Sequence, residues 1–404
     1  MGNLTQWEEK AFKRWKKGKE FDKNLFRKSC TSLLELFYKF LATEYHQEQK
    51  GLFQLHQLWA LNDLGADKYF ESFLKRISKG QTKGKEEFGE EDFWIDSQLL
   101  NTQITYAHLL PQREKVPEIS QAASALDQYY LLRRLKYEIA MQGQKQMLGS
   151  DPLEETHFFS TLMDQMGEWQ GDWHPLIRGY HFLLMAYRDE ENESNYAKLI
   201  ELLQHGLGQA NLDEQRELFT GTLNFCRLQM DNGGKNFDEE YGEIYQIMID
   251  RDVIWYQGKI LAWHVKNLAI YHLKRENYSW ITNFVEQCQH KLMPTQQDQV
   301  ILFCTGLSEY HQKKYKLARE YFEQLLSEFD DVFYGIDVRV AKARLLYETE
   351  DSELEQLLDS APRFIRSKPL SQVHKTRKLN FFRYLKRLVY APNEKKLHQL
   401  LQEV

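Results

Sequence analysis

Thirteen histidines make metal chemistry the first possibility to weigh in this chain of 404 residues. A zinc site needs three or four N, S or O ligands converging on one point. His174 and His181 stand seven residues apart, a spacing that fits one helix face, but Pro175 between them marks a helix start. His264 and His272 stand eight apart. Neither pair has a neighbouring Cys or a convincing third carboxylate, and HExxH is absent, so both read as core or surface histidines. GLGQAN (206–211) offers two glycines but lacks the third that a dinucleotide fingerprint needs, and it follows a helical segment instead of a strand. It reads as a helix-ending turn. No GxxxxGK[ST] phosphate loop and no GxSxG elbow occurs. DNGGKNFDEE (231–240) is acidic and Gly-rich, yet lacks the alternating oxygen ligands and closing Glu of a calcium loop, so it reads as a helix–helix connection. Paired carboxylates such as Glu239 and Glu240 are abundant, and a solvated acidic face explains them. No catalytic, cofactor-binding or metal-ligating residues are expected, and no cofactor.

Two basic stretches suit a different chemistry. KAFKRWKKGK (10–19) interleaves Lys10, Lys13, Arg14, Lys16, Lys17 and Lys19 with Phe12 and Trp15, the mixture that phosphates and bases favour. KTRKLNFFRYLKRL (375–388) is a basic amphipathic helix: Phe381, Leu385 and Leu388 pack inward while Lys378, Arg383, Lys386 and Arg387 spread over the rest. Residues 361–404 carry a net +9 and residues 1–50 a net +4, which leaves −19 on the middle of the chain. Basic ends on an acidic body attract partners, or they are end helices docking onto acidic neighbours. As terminal capping helices both stretches need a polar outer face for solubility. Nucleic acid is the second reading, and an acidic protein or anionic membrane surface the third.

The elements that carry these residues are helical. Ala, Leu, Glu, Lys and Gln dominate, alternating β-branched runs are almost absent, and only 8 prolines interrupt the chain. An apolar fraction of 42% excludes a disordered chain. No run of about 18 apolar residues predicts a membrane span, and residues 1–20 hold no apolar core of signal-peptide length. Cys30, Cys226, Cys288 and Cys304 lie far apart with no CxxC, as in a reduced cytosolic protein with buried thiols. Asp22 is a plausible N-cap for a helix through Leu25, Phe26, Leu33, Leu36, Phe37 and Phe40. Helices are expected near 51–63, 66–79, 93–110 and 118–147, with an exposed loop at KGQTKGKEEFGEED (79–92). From Asp151 onward, helices alternate with short breaks rich in Gly, Asn, Asp or Pro, the rhythm of antiparallel pairs. YHFLLMAY (180–187) and VIWYQGKILAWHVKNLAIYHL (253–273) are too apolar all round for surface helices and read as innermost rungs.

GLSEYHQKKYKLAREYFEQLL (306–326) places residues at tetratricopeptide-like (TPR-like) positions. Gly306 is the small residue where a first helix meets its partner, and Tyr310 follows one turn on. Tyr315 opens the second helix, Ala318 is its small contact and Phe322 its large knob. A second copy lies 37 residues earlier, with Leu268 and Ala269 in its first helix and Tyr278, Ile281 and Val285 in its second; Pro294 closes it. ARLLYETEDSELEQLLDSA (343–361) is a degenerate third. Lys313 stands where a turn Gly is common, and Leu325 replaces a small residue.

ALDQYYLLRRLKYEIAMQGQKQMLG (125–149), NYSWITNFVEQC (277–288) and YKLAREYFEQLLSEFDDVFYGIDVRVAKARLLYE (315–348) resemble a group of bacterial helical-repeat proteins of the Bacteroidetes type. The resemblance implies an α-solenoid and supplies no catalytic residues. Such proteins carry a further helical segment before the point where this chain begins, which puts Met1 in question as the natural start.

The expected fold is all-α: a right-handed α-solenoid of antiparallel helix pairs, TPR-like in its C-terminal third. Residues 1–80 form an N-terminal helical segment and 81–92 an exposed loop. Residues 93–404 form the repeat array, with TPR-like hairpins at about 262–360 and a basic C-terminal cap. The expected function is a non-catalytic, cytoplasmic scaffold that holds a peptide or helix of a protein partner on its concave face. Nucleic-acid binding through the basic C-terminal segment is the alternative, and steep salt dependence would mark it. An enzyme built from scattered residues that no motif reveals is the third reading.

Overall fold

The structure is a computed structural model. It describes residues 2–16, 20–81, 88–109, 119–149, 173–189, 193–207, 209–234, 236–292, 297–325 and 331–390, with single positions at 159, 161 and 163. Among the described residues the regular elements are all helices. The chain divides into two compact units, Met1–Tyr129 and Tyr130–Val404.

The first unit holds α1 (Gly2–Trp15), α2 (Lys23–Glu48), α3 (Lys50–Asp63), α4 (Asp67–Gln81), α5 (Glu90–Leu109) and the start of α6 (Ile119–Leu148). Asp22 caps α2 as its residue type predicts: Oδ1 accepts from the backbone N–H of Asn24 at 2.9 Å and Leu25 at 3.0 Å. Leu55 and Leu58 of α3, Phe70 and Ile77 of α4, and Ile95, Leu99 and Tyr106 of α5 make one core. That core ties α5 to α3 and α4, and the two units part inside α6; of the expected loop 81–92, residues 82–87 lie outside the described residues. The apolar stripe of α2 is open. No side chain of α2 is buried, and Leu33, Leu36, Phe37 and Phe40 face solvent.

Among the described residues the second unit continues α6 and adds α-helices in chain order: α7 (Pro175–Arg188), α8 (Glu193–His205), α9 (Leu212–Asp231), α10 (Phe237–Asp250), α11 (Ala262–Leu273), α12 (Tyr278–Cys288), α13 (Gln297–His311), α14 (Tyr315–Glu323), α15 (Val332–Glu348), α16 (Glu353–Ser367) and α17 (Gln372–Val389). Helix α7 packs on α8, and from α9 onward each helix packs on the next. Alternate helices also meet: α7 with α9, α11 with α13, α13 with α15, and α15 with α17.

The turns inside α11–α12, α13–α14 and α15–α16 close identically. Glu276, Lys313 and Glu350, spaced by 37, adopt left-handed φ values of 55°, 62° and 50°. Each donates its N–H to the carbonyl three residues back, and the next residue (Asn277, Lys314, Asp351) donates to the carbonyl five back. This is the Schellman closure of a helix C-terminus, which satisfies carbonyls the helix itself leaves open. Lys313 thus occupies the position where Gly is usual.

One sequence expectation fails locally. VIWYQGKIL does not form a helix: residues 253–261 make a tight turn with a single antiparallel bridge between Tyr256 and Lys259. Gln257 at φ 49° and Gly258 at φ 72° reverse the chain there. Arg216 holds the segment by donating to the carbonyls of Val253, at 2.9 Å, and Trp255. The apolar residues Val253, Ile254 and Ile260 are buried as predicted, without helical backbone.

Candidate functional site

Alternate helices bring charged residues distant in sequence onto one line. Lys266 of α11 donates to Asp337 Oδ2 of α15 at 2.8 Å, and Lys378 of α17 donates to Oδ1 of the same carboxylate at 2.8 Å. The Lys266 ammonium also sits 4.9 Å from the centroid of the Tyr334 ring, a cation–π contact. Burial alone would raise the Asp337 pKa; the two ammonium groups outweigh it and hold the carboxyl well below the usual carboxylate range. The cluster carries one surplus positive charge. Lys266 is buried, while Asp337 and Lys378 keep partial access to solvent. Because Lys266 and Asp337 belong to helices two hairpin units apart, α11 and α15 stand within one lysine's reach of each other. A helical peptide has no room between them at this level, since a helix with its side chains is about 10–12 Å across.

Along α15 the same stripe continues seven residues on to exposed Arg344, whose guanidinium lies 5.4 Å from the Phe381 ring of α17. Tyr347, also exposed, follows one turn later. Arg344 and Tyr347 are the accessible continuation of the line that Lys266, Asp337 and Lys378 begin.

The four basic residues singled out on α17 fare differently. Lys378 is bound to Asp337, and Lys386 donates to Asp359 Oδ1 of α16 at 2.9 Å. Arg383 stacks over Tyr384 at 5.0 Å and donates to its hydroxyl. Arg387 is exposed in the last turn of α17. Arg377, not singled out, pairs with Asp231 at the end of α9 at 2.6 Å and also donates to its carbonyl. Three aspartates on three other helices therefore receive Arg377, Lys378 and Lys386 of α17, a docking onto acidic neighbours of the kind the charge pattern allowed. Of KAFKRWKKGK, Phe12 is buried against Phe21 and Phe26, Trp15 is exposed beneath Lys16, and residues 17–19 lie outside the described residues.

The repeat positions come together as one contact. A Cβ built on Gly306 would lie 2.6 Å from Phe322 Cε1 and 3.1 Å from Tyr321 Cβ, so α13 and α14 approach too closely for any side chain there. Ala318 and Phe322 are fully buried in that seam. Tyr310 and Tyr315 pack at 5.8 Å across the turn, and the Tyr315 hydroxyl reaches Glu348 of the next hairpin. Ala269 and Ala343, 37 residues to either side of Gly306, are the small buried residues of α11 and α15.

The histidines take structural places. His174 caps α7, its Nδ1 accepting from Leu176 N–H at 3.3 Å, and Pro175 follows at the first helical position. His181 lies on α7 itself. His264 is buried with Nδ1 3.1 Å from the Tyr245 hydroxyl, and burial, with Arg216 beside it, lowers its pKa to about 3. His272 stacks on Trp280 at 3.6 Å, and burial, aided by Arg275, lowers its pKa to about 4. No group of three potential ligands converges on a metal position among the described residues. Cys226, Cys288 and Cys304 are buried, and burial pushes each thiol up to about 12; Cys30 is exposed on α2, against the expectation of buried thiols throughout.

Sequence reasoning missed Lys266, Tyr334, Asp337 and Arg344. The signal was the 37-residue repeat itself, which sets 262–273 and 336–347 as equivalent helices and so places Lys266 and Asp337 on stacked elements. Compared with known proteins, the chain matches no protein-family model and no curated protein.

Proposed function

We propose that this chain is a non-catalytic, cytoplasmic protein–protein interaction scaffold, a right-handed α-solenoid whose first helices α11, α13, α15 and α17 form the concave face that holds a partner peptide or helix. The observation that carries the reading is the line from Lys266 through Asp337 to Lys378, which places residues of three alternate helices on one shared face. The ion pairs fill that face at the Asp337 level, so the partner segment lies further along it, at Arg344 and Tyr347. Stacked hairpins generate extended faces of this kind because each unit buries its apolar side only against its neighbours. Binding on such a face depends on exposed aromatic and Arg anchors, and Tyr347 and Arg344 are of that type. The engagement of Lys378 and Lys386 by Asp337 and Asp359 supports α17 as a cap in preference to a nucleic-acid site.

The test is capture of partners by the tagged chain from nuclease-treated native lysate, with Arg344→Glu alongside. A protein retained by the wild type and lost with Arg344→Glu, at unchanged helicity, is the expected result. Nucleic acid recovered from untreated lysate and released steeply by salt, with no such protein, would overturn the reading.

A further inference from the structure

Helix α2 is built like a core helix and lies in the open. Helical periodicity gathers Leu33, Leu36, Phe37, Phe40, Leu41 and Tyr45 on one broad side, with Lys28, Glu35, Lys39 and His46 opposite. Leu33 is 68% exposed, and Leu36, Phe37, Phe40 and Tyr45 are each more than half exposed. Contacts within the unit occupy the ends of the helix: Phe26 against Phe12 of α1, and His46 against Phe53 and His56 of α3. With Leu34 and Tyr38, the open stretch presents roughly 900 Å² of mostly apolar side chain, on the basis of about 150–250 Å² per aromatic residue. The largest apolar patch on a typical monomer is about 300–600 Å². One side of a standard protein interface is about 800 Å².

We propose that α2 is the interface through which two copies of this chain associate, packed antiparallel about a two-fold axis. Area supports the second copy as occupant: one such face covering another removes roughly 1,800 Å² from water, within the range of stable dimers. Charge fixes the direction. On the apolar side the N-terminal end of α2 carries Lys23 and Arg27, and α1 beside it adds Lys10, Lys13 and Arg14, all exposed. The C-terminal end carries Glu44 and Glu48. Parallel packing sets basic end against basic end. Antiparallel packing sets each basic end against the partner's glutamates, which is the self-complementarity a two-fold interface requires. Arg27 lies 4.0 Å from Glu8 and remains largely exposed, so it is available to a second acid. This association gives the basic stretch 10–16 a role that needs no nucleic acid.

The test is measurement of the mass of the full chain in solution by analytical ultracentrifugation across a concentration series. A dimer at micromolar concentration is expected. Phe37→Glu with Phe40→Glu should weaken it at least a hundredfold without loss of helicity, because both rings are already in solvent. Glu44→Lys with Glu48→Lys should weaken it about tenfold, and adding Lys23→Glu with Arg27→Glu should restore it. The two ends lie about 25 Å or more apart on one helix, so that restoration is possible only between copies. A monomer at 100 μM, a dimer indifferent to Phe37→Glu and Phe40→Glu, or a quadruple charge variant that stays weak would each overturn the proposal.

Discussion

Single residues set the seams. Ala318 is fully buried where α13 and α14 converge on Gly306. Ala318→Arg places an unpaired charge in that seam and should cost about 3–5 kcal/mol, read as a sharp fall in melting temperature. Asp337→Asn leaves Lys266 and Lys378 facing each other without their carboxylate, at an expected cost of about 2–3 kcal/mol in chemical denaturation at pH 7. The pH dependence follows from two signs. The folded Asp337 pKa lies below its unfolded value, so its stabilisation is complete above about pH 4 and lost as pH falls further. The His264 pKa also falls, from 6.5 to about 3, because the buried ring is held neutral. Its contribution is therefore complete above pH 6.5 and declines toward pH 3, by up to about 1.4 kcal/mol per pH unit. Denaturation midpoints measured from pH 7 to 4 should drop in the wild type and drop less in His264→Asn. The Gly306–Ala318–Phe322 contact was legible in the sequence because small–large spacing on paired helices has few other causes. The Lys266–Asp337 pair was not, since its members are 71 residues apart and only the fold joins them.

At the scale of elements, the repeated unit is a hairpin closed by a left-handed residue. Glu276, Lys313 and Glu350 hold that conformation with side chains that pay a steric cost of about 1–2 kcal/mol against a following carbonyl. Glycine relieves this cost but gives up about 0.5–1 kcal/mol of backbone entropy. Lys313→Gly should therefore stabilise by a few tenths to about 1 kcal/mol, and the three substitutions together should raise the melting temperature by several degrees. A fall would show that the side chains at these turns make stabilising contacts. Helix positions from Asp22 to Leu148 were readable from caps and apolar spacing. The turn at Lys313 and its period of 37 were legible from the flanking repeat positions, but its left-handed conformation was not, because Glu and Lys carry none of the signal that Gly carries there. Residues 253–261 were misread because a continuous apolar run looks the same in a buried turn as in a buried helix. Helix α2 shows the converse: periodicity revealed an apolar face and carried no information on what covers it.

At the scale of the molecule, an acidic body with basic ends resolves into two arrangements. Three cations of α17, Arg377, Lys378 and Lys386, are drawn onto Asp231, Asp337 and Asp359 of the chain itself, whereas Lys23 and Arg27 at the start of α2 remain largely in solvent. The first docks α17 onto helices of its own unit, and the second is the association between copies proposed above. The proposed function requires that the face shared by α11, α13, α15 and α17 receive a protein partner. Hydrogen-exchange mass spectrometry of the full chain, alone and with the partner recovered by capture, tests that claim most directly. Slowed exchange on α13, α15 and α17 around Arg344 and Tyr347, with α12, α14 and α16 unchanged, is the expected result. Slowed exchange confined to α12, α14 and α16, or absent from the whole array, would contradict it.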